Sequence, residues 1–183
     1  MAGETSAPDT SPACGSSRST ATSSSASAPS LAARTRLAIA VATLGGVGRA
    51  PMAPGTVASA ITAVVLWLLS LSPPAVLGLL IVVTALGTWA ADQAERALGG
   101  GKDPGAIVID EVAGMLLSVL AVPLTPMTLL VAFLLFRVFD VVKPFPANVA
   151  QRLRGGLGVM TDDLIAGLYA LALVLLARSL GWL

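Results

Sequence analysis

Histidine is absent from the 183-residue chain, and its single cysteine, Cys14, lies in a Ser/Ala/Thr/Pro-rich stretch near the N-terminus. These absences exclude an intrachain disulfide, a Cys/His metal centre, a cysteine nucleophile, a phosphohistidine intermediate and an imidazole base. Catalysis is left to carboxylates, lysine, arginine, hydroxyl groups or a metal held by oxygen. Charge is scarce as well. Only 11% of residues are Asp, Glu, Lys or Arg, against about 25% in a soluble domain. Apolar residues make up 55%, which is the composition of an integral membrane protein. The net charge of +1 says little by itself; the placement of the charges says more.

Residues 1 to about 30, as in STATSSSASAPS, are low in hydrophobicity and complexity, so disorder is expected there. They hold no apolar core of a secretory signal, and no cleaved leader is expected. Residues 1–33 therefore read as a tail and 34–183 as one membrane-embedded domain. Apolar segments fall at about 57–72, 75–91, 107–122, 125–142 and 164–180, separated by Ser72-Pro73-Pro74, by Gly99-Gly100-Gly101, by Pro123 and by a Gly-rich loop. A spanning helix needs about 20 apolar residues. The segments at 57–72, 75–91 and 164–180 approach that, and the other two reach it if their charged ends sit at the interface. The expectation is an all-α polytopic membrane bundle of about five spans.

Threading five spans from an N-terminus on one side puts 31–56, 92–111 and 137–163 together on that side. Every charged residue beyond position 30 then falls there, except Arg178. By the positive-inside rule this side is cytoplasmic. Acidic residues contribute little to topology, so the carboxylates gathered there call for a second explanation.

Three polar clusters share that face. GGVGRAPMAPGTVAS, 45–59, is a rigid Gly/Pro turn opening the first span, with Thr56 expected as its N-cap. It lacks the lysine of a P-loop and the third glycine of a dinucleotide loop, although amides at Gly55 and Thr56 can still hold an anion. KDPGAIVIDEVAGM, 102–115, places Asp103 in a loop and Asp110 and Glu111 near the start of the third span. There the helix dipole favours negative charge, which accounts for one carboxylate better than for two. The third cluster is FRVFDVVKPFPANVAQRLRGGLGVMTDDLIAG, 136–167. Arg137 and Asp140 stand at i and i+3 on one helix face. Lys143 precedes Pro144, where the helix must end or bend. Asp162 and Asp163 open the fifth span, as caps or as something more. Asp92 and Glu95 are read as structural, Asp92 pairing with Arg96 at i+4.

An ionised carboxylate within a membrane helix costs about 2.5–3.5 kcal/mol on insertion scales, and five at neighbouring helix mouths would repel one another. A hard cation resolves both problems. Oxygen ligands without nitrogen or sulfur point to Mg²⁺. Mg²⁺ beside arginine and lysine is the equipment of phosphate chemistry, and its depth at the headgroup level suggests a phospholipid substrate.

APGT at 53–56, IVIDEVAG at 107–114, FRVFDVVKPFP at 136–146 and GGLGVMTDDLIAG at 155–167, in this order, resemble the phosphatidylglycerophosphatase A family over about residues 37–180. The resemblance implies Mg²⁺-dependent removal of the terminal phosphate of phosphatidylglycerophosphate, giving phosphatidylglycerol in the cytoplasmic membrane. Carried over by motif, it implies that Asp110, Glu111, Asp140, Asp162 and Asp163 are metal and catalytic carboxylates. It also implies that Arg137 and Lys143 bind the phosphate, with Asp103 a lesser candidate. Direct attack by water and a phospho-aspartyl intermediate both remain open. Two positions depart from the pattern: Ala58 stands where glycine is expected, and Gln151 where many members carry aspartate.

Other classes fit less well. A CDP-alcohol phosphotransferase needs DG, AR, G and two spaced aspartates, which the chain lacks. Histidine-dependent lipid phosphatases are excluded by composition. A small cation transporter or channel would carry its carboxylates near the membrane midplane, whereas here they cluster at one end. A purely structural subunit leaves the Arg–Asp–Lys and Asp–Asp groups unexplained.

Overall fold

The computed structural model describes residues 28–97, 105–150, 153 and 155–183, which are helical with no strand among them. Residues 1–27 of the expected tail lie outside the described residues, as do Lys102, Asp103, Gln151, Arg152 and Arg154. Helices α1 (Ala28–Ala42), α2 (Pro54–Leu69), α3 (Pro73–Ala97), α4 (Ile109–Ser118), α5 (Pro126–Val142), α6 (Ala147–Ala150) and α7 (Gly156–Ser179) follow one another, with a 3₁₀ segment at Leu44–Arg49.

Helix α4 is the centre of the bundle. It packs on α2, α3, α5 and α7, and Ile109, Ala113, Met115 and Leu116 are buried. With 10 residues it is about 15 Å long, half of a roughly 30 Å hydrocarbon core. The expected third span is therefore not a full span. Beyond Ser118 the apolar chain turns back through short-range bonds from Val119, Leu120 and Val122 before Pro126 starts α5. Two helices, α3 and α7, are long and apolar enough to cross a membrane, and α2 is apolar but shorter, at 16 residues. Large apolar side chains point away from the bundle on α2 (Ile61, Val64, Leu68), α3 (Ile81, Val82, Leu86), α5 (Leu130, Leu134, Val138) and α7 (Leu168, Leu176). So much exposed apolar surface is characteristic of contact with a lipid or protein partner.

Three boundaries differ from the sequence reading. Helix α1 begins at Ala28, inside the expected tail, and lies on α3, with Ala38 and Ala42 fully buried in the same core cluster as Ala90, Ala91 and Ala94. Small residues give such an interface little hydropathy signal. Helix α2 begins at Pro54, so its N-cap is Ala53 and not Thr56; a proline at the first helical position has its φ preset for the helix. Helix α7 begins at Gly156, and Asp162 and Asp163 are consequently interior residues rather than caps. A Cβ on Gly156 would meet the Thr88 carbonyl of α3, so glycine lets α7 start in backbone contact with α3.

Candidate active site

At one end of the bundle the helix termini enclose a cleft of about 1080 Å³. Gly55 from the start of α2, Asp110 and Glu111 from the first turn of α4, Arg137 and Asp140 from α5, Lys143 just beyond it, and Asp162 and Asp163 from α7 all line it. Thr56 does not. Glu95, read from sequence as structural, also faces the cleft, together with Asn148. Its neighbour Asp92 pairs with Arg96 at 2.9 Å, as the i, i+4 spacing implies.

Two residues that frame the cleft have left-handed backbones. Ala53 precedes Pro54 and Lys143 precedes Pro144, and both have positive φ, 44° and 48°. A following proline disfavours the right-handed helical region. The α5 chain therefore leaves its helix at Lys143 and carries the ammonium group inward. Lys143 Nζ reaches Asp162 Oδ2 at 2.6 Å and Asp140 Oδ1 at 3.9 Å. Burial pulls the lysine's pKa down, but the Asp162 hydrogen bond and the charges of Asp162, Asp140 and Asp163 outweigh it and hold the group above its ordinary value.

Arg137 Nη1 lies 2.8 Å from Asp140 Oδ2. The approach is an ion pair without hydrogen-bond alignment, so Nη1 and Nε remain buried donors with no acceptor among the described residues. The two cations are thus committed by charge to Asp140 and Asp162, yet Arg137 keeps hydrogens on Nε and Nη1 that have no acceptor among the described residues.

The other three carboxylates form a second group, which adjoins Asp140 and Asp162 through Asp163. Oxygens of Asp110, Glu111 and Asp163 lie within 4.8 Å of one another. Asp110 is 8% exposed and Asp163 3%. Asp110 Oδ1, Glu111 Oε2 and Asp163 Oδ2 are buried without a hydrogen-bond partner among the described residues. Unpaired anions so close together inside a protein cost several kcal/mol, and hard oxygen donors converging on one point suit a divalent cation such as Mg²⁺ or Ca²⁺. The donor set therefore fits a metal.

Gly55 is part of this geometry. A Cβ there would collide with the carboxylate of Glu111, including Cδ at 2.8 Å. Gly55→Ala is expected to turn Glu111 away from Asp110 and Asp163 and lower turnover about a hundredfold, since misplacement by an ångström has that effect. The displaced group is the end of a flexible side chain, so the thermal unfolding midpoint should move little. A steady-state assay beside a melting curve separates the two effects.

A family model described as Phosphatidylglycerophosphatase A matches residues 40–178. The chain belongs to the phosphatidylglycerophosphatase A family. Residues 40–178 reach from the last turn of α1 almost to the end of α7, so the match takes in every cleft-lining element.

Curated relatives of this family include the Escherichia coli phosphatidylglycerophosphatase A, 35% identical over 67% of this chain and 72% of the relative. The Haemophilus influenzae phosphatidylglycerophosphatase A is 43% identical over 41% of this chain and 47% of its own length. A Bacteroides thetaiotaomicron protein carrying the name "Putative phosphatidylinositol-3-phosphatase" is 38% identical over 78% of this chain and 94% of its own length. No solved structure matches the chain. Family membership makes the protein a phosphatase and leaves the transporter alternative without support. The departure at Ala58 is accommodated on the buried face of α2, and Gln151 lies outside the described residues.

Proposed function

We propose that the protein is a Mg²⁺-dependent phospholipid phosphatase that converts phosphatidylglycerophosphate into phosphatidylglycerol. The observation that carries this reading is the carboxylate triad Asp110, Glu111 and Asp163, each with a buried oxygen that lacks a partner among the described residues, beside two partly buried cationic side chains in one cleft. The triad would hold the metal. When bound, Mg²⁺ neutralises phosphoryl charge and lowers the pKa of a bound water.

The chain's own residues do the rest. Arg137 offers its positive charge and its unaccepted Nε and Nη1 hydrogens to phosphoryl oxygens. Asp140 keeps the guanidinium in place. Lys143 supplies a second positive charge, held by Asp162 Oδ2. Asp162 Oδ1, buried and without a partner, is the acceptor for a proton as water adds to phosphorus. The ester P–O bond breaks, and the headgroup leaves as an alcohol after taking up a proton.

The same reading places the cleft at the cytoplasmic face of the cell membrane. Helices α2, α3, α5 and α7 would span, with α4 half-inserted between them, in place of five complete spans. Exposed apolar side chains along the four outer helices support this, as does the collection of lysine and arginine at the cleft end. The phosphoinositide name of the Bacteroides thetaiotaomicron relative supports a second substrate of the same class, a phosphorylated inositol lipid.

Purified protein in detergent is expected to release phosphate from phosphatidylglycerophosphate with Mg²⁺ and to stop in EDTA. Release undiminished by EDTA would remove the metal from the mechanism. Release from phosphatidylinositol 3-phosphate alone would reassign the substrate.

A further inference from the structure

Glu95 sets a problem that phosphate chemistry does not answer. The cleft already holds five other carboxylates and is meant to receive a phosphate, so a further anion on its wall weakens phosphate binding by repulsion. A surface glutamate on a helix is usually explained by a cation three or four residues away. Glu95 has Ala91, Asp92, Leu98 and Gly99 at those positions. It makes no ion pair among the described residues, whereas Asp92, one turn earlier, is paired with Arg96. Glu95 half-emerges into the cleft from α3, which packs on α1, α4 and α7. Arg137 enters from α5, which packs on α2, α4 and α7. The acid and Arg137 therefore enter the cleft from different helices. Asn148 of α6, a neutral residue with two donors and an acceptor, lines the same cleft.

We propose that Glu95 and Asn148 form a headgroup subsite that accepts hydrogen bonds from, and donates them to, the free hydroxyls of a polyol phosphate. A cleft carboxylate such as Glu95, with no ion pair among the described residues, is a strong acceptor for a hydroxyl. The substrates named for the relatives share this feature: glycerophosphate and inositol phosphate headgroups both carry hydroxyls near the ester, and the phosphomonoester of phosphatidate carries none. The subsite selects for the hydroxyls and not for a particular ring or chain. It rests on the phosphatase reading above.

The test compares phosphate release from phosphatidylglycerophosphate, phosphatidylinositol 3-phosphate and phosphatidate, in matched detergent micelles, by the full chain and by Glu95→Gln, Glu95→Ala and Asn148→Ala. The parent should favour at least one polyol lipid over phosphatidate. Losing a hydrogen bond to a charged group should cut that preference by about ten- to a hundredfold in Glu95→Ala, mainly through KM, with smaller reductions in Glu95→Gln and Asn148→Ala. Equal losses on all three lipids would overturn the subsite, as would variants with the parent's preference. A parent that treats phosphatidate as well as both polyol lipids removes the subsite and leaves the phosphatase reading standing. A parent that hydrolyses none of the three removes both.

Discussion

Asp163→Asn is expected to lower phosphate release about a thousandfold or more while the metal-free protein becomes no less stable. The two effects have one cause. Asp163 sits inside α7, 3% exposed, with an oxygen within 4.8 Å of oxygens from Asp110 and Glu111, and its Oδ2 has no partner among the described residues. Asparagine keeps the volume and removes one of three crowded charges. In the absence of metal this relieves repulsion and gives the neighbouring carboxylates an N–H donor. On the proposed reading it also deprives Mg²⁺ of a charged ligand, and several kcal/mol of transition-state stabilisation correspond to about three decades in rate. Melting curves add a second readout. Ligand binding raises the midpoint of the parent by mass action, and that Mg²⁺-dependent rise should shrink or vanish in the variant. Retained turnover would take Asp163 out of the site. Lost turnover with an intact Mg²⁺ shift would place the metal on other residues.

Much of this site can be read from the sequence because its chemistry is written in residue types that the rest of the chain avoids. Carboxylates are rare in so apolar a protein, and the loops that carry them fall on one side of any alternating thread. What sequence cannot show is which carboxylates pair with cations. Asp140 and Asp162 look no different from Asp110 and Asp163 until the left-handed turn at Lys143 brings its ammonium to Asp162. Asp92 and Glu95 are likewise indistinguishable as exposed acids on one helix end. One helical turn separates a paired residue from one in the cleft.

The length of α4 was hidden for a different reason. Beyond Asp110 and Glu111, residues 112–122 are apolar but for Gly114 and Ser118, and hydropathy does not register the turns at Val119–Val122 that end the helix. Helix α1 was missed because its contact with α3 is built from alanines, which fill space without standing out in composition. The early start of α7 follows from glycine's lack of a Cβ against the Thr88 carbonyl, a contact visible only once α3 is in place.

Gly114→Ala is expected to damage both the fold and the site, because Gly114 of α4 lies tight against both α5 and α7. A Cβ there would meet the Phe136 ring, with Cζ at 2.6 Å, and the carbonyl oxygen of Asp163 at 2.8 Å. On the facing helix, a Cβ at Gly167 would run into the Gly114 carbonyl. The α4–α7 crossing therefore depends on small residues that let two backbones touch, the pattern by which helices associate when lipid removes the usual hydrophobic drive. Neither obstacle can yield easily: Phe136 is fully buried, and the carbonyl is part of the α7 backbone. Overpacking of this kind costs about 1–3 kcal/mol. Any relaxation that moves α7 away carries Asp163 with it and opens the carboxylate triad. Turnover should fall about a hundredfold together with a lower melting midpoint, unlike Gly55→Ala, where only turnover falls. Adding Phe136→Leu should recover part of the stability by removing the ring. It should recover little of the activity, because the Asp163 carbonyl still stands in the way. A Gly114→Ala protein with the parent's melting midpoint and turnover would mean that α4 and α7 do not cross in backbone contact.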